Sequence, residues 1–147
     1  NRGTSGIDGS TATAIGHALQ SAKPVTLVTG DVAFLYDSGA FWNDCLPNNL
    51  KVIVLNNSGG NIFRIIKGPA NIDHFERFQE THHEHNLQGV GATFNLPWLK
   101  ADDLESLHKA LHELYAQPGL QVLEVKTPRF ISPESLANYF TFLKEHH

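Results

Sequence analysis

Val25-Thr26-Leu27-Val28-Thr29-Gly30-Asp31 is the stretch on which the fold turns: a run of apolar and β-branched residues that stops at a glycine and an acid. Such a short run, bounded by a turn signal, reads as a buried strand. A second one, Val52-Ile53-Val54-Leu55, stops at Asn56-Asn57-Ser58-Gly59-Gly60. Between them lies a mostly apolar stretch from Val32 to Leu46, long enough for a helix despite Gly39 and closed by Pro47-Asn48-Asn49.

Working outward, Ser10 to Ala22 is a small-residue helix with Ala14, Ile15 and Ala18 on one side, stopped by Lys23-Pro24. Asn61 to about Leu96 is irregular, apart from a short helix between His83 and Gly91. Asp102 with Glu105 forms a capping box, and Leu104, Leu107, Leu111 and Leu114 make a stripe at helical spacing. Gln117-Pro118-Gly119 ends that helix, and Gln121 to Thr127 alternates as a third strand. Ser132-Pro133-Glu134 starts a last helix, with Ser132 as cap and Leu136, Phe140 and Leu143 as its buried face. Strands alternating with helices predict an α/β fold, a parallel sheet covered by helices on both faces. Ligands in such folds bind outside the carboxyl ends of the strands, where both polar motifs fall.

Composition narrows the function. The chain of 147 residues suits one compact domain, 1–147. With 11 Lys plus Arg and a net charge of −4 it has no evident means of holding nucleic acid or an anionic membrane. No apolar run reaches the roughly 20 residues that span a bilayer. The single Cys45, in a Phe41, Trp42, Leu46 context, reads as a buried thiol and fits a reducing, cytoplasmic setting. The chain has no Met and opens in a Gly-rich loop, so it is expected to be the C-terminal piece of something longer.

Gly30-Asp31 and Asn56-Asn57 lie roughly 25 residues apart, about what a helix and two turns require, so the two motifs should meet at one sheet edge. Asp31 offers a carboxylate, Asn57 an amide oxygen, and Gly59 a backbone carbonyl that can turn inward. Three hard oxygens suit Mg²⁺ (or Mn²⁺), with remaining places for phosphate oxygens and water. The helix expected after Asp31 would present its N–H groups to a diphosphate, and Gly59-Gly60 lets backbone approach from the other side. Each motif alone is ordinary turn chemistry. The pair, in this order on consecutive strands, favours the metal–diphosphate reading.

Three longer strings carry a resemblance: Asn1-Arg2-Gly3-Thr4-Ser5-Gly6-Ile7-Asp8-Gly9, Thr29 to Asp37, and Asn56-Asn57-Ser58-Gly59-Gly60-Asn61-Ile62-Phe63. The chain resembles the C-terminal thiamine-diphosphate-binding (PP-type) domain of the 2-succinyl-5-enolpyruvyl-6-hydroxy-3-cyclohexene-1-carboxylate synthase family. The likeness is weak between Arg64 and Lys100. It implies a thiamine diphosphate cofactor and a transferase that decarboxylates 2-oxoglutarate and adds the succinyl-semialdehyde unit to isochorismate, in menaquinone biosynthesis. By that resemblance Asp31, Asn57 and the Gly59 carbonyl hold the metal. Ser5 and Gly6 approach the aminopyrimidine, Ile7 supports the thiazolium, and Gly30 and Gly60 complete the cofactor site. Arg2 binds a substrate carboxylate, and Ile62 and Phe63 line the substrate pocket. The activating glutamate belongs to a domain outside this chain, which implies a homodimer or homotetramer and an inactive fragment.

The chain departs from the family at Ala33, where a hydroxyl residue is common, and Arg64 and Lys67 read as exposed basic residues. His82-His83-Glu84-His85 lacks the spacing of a zinc site. Two rival readings stand beside the first: another thiamine enzyme of the acetolactate-synthase or decarboxylase type, and a non-catalytic assembly domain.

Overall fold

The computed structural model describes residues 6–66 and 73–146. Along them run α1 (Ser10–Gln20), β1 (Val25–Gly30), α2 (Asp31–Tyr36), a 3-10 turn (Ser38–Trp42), β2 (Leu50–Asn56), α3 (Ile62–Ile65), α4 (Phe75–Phe78), α5 (Leu87–Thr93), β3 (Trp98–Ala101), α6 (Leu104–Ala116), β4 (Gln121–Lys126) and α7 (Ile131–Glu145). The strands form one parallel sheet in the order β1-β2-β4-β3. Val25 pairs with Leu50 and Gly30 with Leu55. That register decides the site, because Asp31 and Asn56-Asn57 then leave neighbouring strands at the same edge.

Alternation sorts the strand residues between two cores. Leu50, Val52, Val54 and Val122 face α1, α2, α5 and the 3-10 turn, packing with Ile15, Ala18, Phe34, Phe41 and Leu87. Leu123 and Ala101 face α6, meeting Ala110 and Leu114. Helices thus lie on both faces, as the alternation of elements predicts. Cover on the α6 face is partial: Val28 is 59% and Leu55 41% exposed, since α6 lies over β3 and β4.

Several local expectations are corrected. The helix expected from Val32 to Leu46 stops at Tyr36 and gives way to the 3-10 turn. Asp37 is the reason: its Oδ2 accepts the N–H groups of Thr11 (2.7 Å) and Ala12 (2.9 Å). It thereby serves the first turn of α1, whose own N-cap, Gly9, has no side chain to offer. The capping box of α6 sits one residue later than expected. Asp103 accepts from the Ser106 N–H at 2.7 Å, and Ser106 Oγ accepts from the Asp103 N–H at 3.1 Å. With that shift Leu104 is 74% exposed, and Ala110 joins Leu114 in the core. Ser132 does not cap α7; its hydroxyl donates to the Pro128 carbonyl from inside the helix. No residue of α7 is buried, and Leu136 and Phe140 stand exposed. Cys45 is exposed, its loop turned outward after the 3-10 segment.

A fourth strand, β3, follows Pro97 at the sheet edge, four residues long with Lys100 within it and no apolar run to mark it in the sequence. Its Trp98 packs against α5, so close that a Cβ on Gly91 would stand 2.5 Å from Trp98 Cε3. Gly91→Ala is therefore expected to cost about 1–3 kcal/mol through overpacking. Comparison of thermal midpoints with wild type checks it, and an unchanged midpoint would mean that the ring moves freely.

Candidate functional site

Asp31 opens α2 directly from β1 and is 2% exposed. Its Oδ1 accepts from its neighbour's N–H, Val32, at 2.8 Å, and its Oδ2 accepts from the Gly59 N–H at 3.0 Å. One side chain therefore ties the turn after β1 to the turn after β2. Burial pushes the Asp31 carboxyl above its ordinary range. The N–H groups of Val32 and Gly59, the nearby His83 and the Ser58 N–H pull it back without cancelling the effect. A carboxylate desolvated in this way gains most from an adjacent divalent cation.

The second donor is Asn57. Its Oδ1 is buried and has no hydrogen-bond partner among the described residues. A buried acceptor left unpaired costs about 1–3 kcal/mol, and a cation or donor removes that cost. Asp31 and Asn57 thus fit a hard metal ion by the chemistry of their atoms. The turn between them is tight: Ser58 adopts φ 63°, Gly59 φ 156°. A Cβ on Gly59 would meet the Glu80 carbonyl at 3.0 Å, so glycine is required there by close approach as well as by backbone conformation.

Of the remaining expected residues, Gly30, Gly60, Ile62 and Phe63 adjoin the two strand tips. Gly30 is the last residue of β1 and pairs with Leu55. Gly60 donates its N–H to the Glu80 carbonyl. Ile62 and Phe63 start α3, with Ile62 56% exposed and the Phe63 ring packed near Gly60. Gly6 is half-buried, and Ile7, 44% exposed, belongs to neither core. Arg2, Ser5 and Lys67 lie outside the described residues. The six-residue α2 offers only a short dipole, so the anion-binding contribution expected of a long helix after Asp31 is reduced.

Three residues at the site went unassigned in the sequence analysis. His83 is buried with Nε2 3.3 Å from Asp31 Oδ2, a charge-pair distance without hydrogen-bond alignment. Glu80 is wholly buried beneath Gly59-Gly60. Asn61 is buried, donating to the Arg129 carbonyl while its Oδ1 has no partner among the described residues. Arg64, expected as an exposed base, is instead 20% exposed and paired with Glu76 and Glu80. Cavities of 340 and 360 Å³ flank His83, one lined by Asn56, Ser58 and Lys126, the other by Val32, Leu35 and Tyr36.

A parallel sheet with helices on both faces, whose adjacent tips carry a desolvated acid, a buried amide oxygen and a glycine turn, defines an α/β domain with a donor set that fits a cation and an anion. Comparison with known families places it further. The family described as thiamine pyrophosphate enzyme, C-terminal TPP binding domain, matches residues 2–125, and the chain belongs to that family. Among curated relatives, it is 45% identical over 145 residues to the 2-succinyl-5-enolpyruvyl-6-hydroxy-3-cyclohexene-1-carboxylate synthase of Christiangramia forsetii, covering 98% of this chain and 25% of that protein. It is 47% identical over 143 residues to the synthase of the same name from Flavobacterium johnsoniae, covering 95% and 26%. The chain spans about a quarter of the length of the relatives it matches.

Proposed function

We propose that this chain is the C-terminal, diphosphate-holding domain of a transferase that decarboxylates 2-oxoglutarate and joins the four-carbon unit to isochorismate, a cytoplasmic step towards menaquinone. The observation that carries the cofactor half is the joined turn: Asp31 bonded to Gly59, beside a buried Asn57 oxygen with no partner among the described residues. The substrate half is supported by the names of the relatives matched over nearly the whole chain.

Asp31, Asn57 and the Gly59 carbonyl would hold Mg²⁺ or Mn²⁺, with phosphate oxygens and water completing its shell. Bound thiamine diphosphate supplies the electron sink that decarboxylation of a 2-oxoacid requires. Gly30, Gly59 and Gly60 would keep side chains out of its path, and Ser5, Gly6 and Ile7 would be the residues on the side of its rings. Ile62 and Phe63 give an apolar wall to the substrate pocket, while Arg2 pairs with a substrate carboxylate. The group that activates the cofactor resides in the part of the protein beyond this quarter, and the working enzyme is a homodimer or homotetramer.

Calorimetric titration of the full-length enzyme with thiamine diphosphate tests the reading: binding in Mg²⁺ and its loss in EDTA are expected. Tight binding without metal would refute it. Release of CO₂ from 2-oxoglutarate that accelerates on adding isochorismate would identify the substrates. Arg2→Ala is expected to raise the KM for an anionic substrate about tenfold or more, the loss of one charge-assisted contact, and to spare cofactor affinity. Equal loss of both would make Arg2 a structural residue.

A further inference from the structure

We propose that residues 80–83 form a positioning strut for the metal-binding turn, with Glu80 as its anchor and His83 as the residue that orients Asp31. The inference rests on the metal–diphosphate reading above and adds to it residues from the least regular part of the chain.

The strut meets the turn at two backbone positions, Gly60 and Ser58. The Glu80 carbonyl accepts from Gly60, and the Ser58 carbonyl accepts from the His83 N–H at 3.2 Å and stands 2.8 Å from His82 Nδ1. Residues 80–83 belong to neither helix nor strand, and Thr81 sits at φ 54°. A segment of this kind has no ladder of its own to hold it in place. Side chains do so instead. Glu80 Oε1 accepts from Arg64 Nε (2.9 Å) and Arg129 Nε (2.8 Å), and Oε2 accepts from the Nη2 of each. Two guanidinium forks grip one carboxylate, which fixes its plane as well as its position.

The arginines are fixed in turn. Arg64 lies over the rings of Phe75 (5.2 Å) and Phe130 (5.0 Å), and Arg129 over Phe130 (4.8 Å). Apolar side chains of similar volume would stabilise a buried site about as well as a charge triad. What the triad adds is a single geometry, and here that geometry is passed to Gly59-Gly60 and to α3, which carries Ile62 and Phe63.

His83 completes the strut. Its Nδ1 accepts the His85 N–H at 3.3 Å and its ring stacks on His85 at 5.1 Å. Its Nε2 then faces Asp31, 3.3 Å from Oδ2. Groups that steer a metal-binding carboxylate from behind typically change metal affinity by about 10- to 100-fold when removed.

The test uses the full-length enzyme, titrated calorimetrically with thiamine diphosphate in Mg²⁺ at a temperature where circular dichroism shows every variant folded. Glu80→Gln and His83→Phe are each expected to bind about 10-fold or more weakly. Leu114→Ala, which opens a cavity in the α6 core on the other face of the sheet, is expected to keep wild-type affinity. Wild-type affinity in Glu80→Gln or in His83→Phe overturns the strut, as does an equal loss in Leu114→Ala, which would trace the effect to stability alone. If Glu80→Gln does not fold, Arg64→Lys, which keeps the charge and loses the fork, replaces it with the same expectation. Absence of Mg²⁺-dependent binding in the wild type would remove the metal reading itself before any variant is compared.

Discussion

Asp31→Ala in the full-length enzyme is expected to weaken Mg²⁺-dependent thiamine diphosphate binding by about 30-fold or more, because removing one partner of a buried charge pair costs about 2–5 kcal/mol. The carboxylate carries two duties. It would be the only charged protein ligand among Asp31, Asn57 and the Gly59 carbonyl, and it already holds the two turns together through the Gly59 N–H. Alanine removes both. Asp31→Asn separates them, since its amide oxygen can still accept one of the N–H groups of Val32 and Gly59 while the charge is lost. Burial raises the Asp31 pKa, so the ionised form is the costly one in the metal-free protein. The asparagine variant is therefore expected to be at least as stable as wild type without metal, yet to lose Mg²⁺-dependent affinity. This is the trade-off expected where a site stores an unfavourable charge for later use. Titration and thermal unfolding, each with and without Mg²⁺, check the two halves. Wild-type affinity in either variant would refute the metal assignment.

Glu80→Ala carries the largest expected stability loss, about 3–5 kcal/mol, since it leaves two arginines without the carboxylate around which they are arranged. The Arg129 and Arg64 guanidiniums hold the Glu80 carboxyl at about 2, against 4.5 for a free glutamate. That difference is equivalent to about 3 kcal/mol. Because the folded pKa is the lower one, this stability is fully present above pH 4.5 and disappears as the pH falls towards 2. Wild type should accordingly lose more stability than Glu80→Gln between pH 5 and pH 3. Thermal midpoints of the full-length protein across that range measure it, and parallel curves for the two proteins would show that the pair contributes nothing to folding. Were the pair exposed, a value nearer 0–1 kcal/mol would be expected; the complete burial of Glu80 decides between the two.

How much of this was legible in the residues depends on how local each signal is. The β1 and β2 strands and their Gly-Asp and Asn-Asn ends could be read directly, because an apolar run cut by turn residues is a property of neighbours in the chain. Helix ends were harder. Asp102 and Asp103 are both competent caps, and only the backbone's course into α6 selects Asp103. Asp37 ends α2 because it is needed by α1, a partner 25 and 26 residues away in sequence. The histidines were the least legible. His82, His83 and His85 look alike in the sequence, yet His83 alone is turned inward against Asp31.

The sequence by itself determined the alternation of elements, the two polar strand ends and, through their order, the family. Each follows from short-range patterns of apolar, glycine and amide residues. Tertiary structure alone decided that Glu80 and His83 serve the turn, that Arg64 is a partner rather than a surface charge, and that Cys45 and the apolar residues of α7 stand exposed. The reason is physical: whether a lone polar or apolar side chain is buried depends on what the rest of the chain lays over it. No repeating pattern around that residue records it.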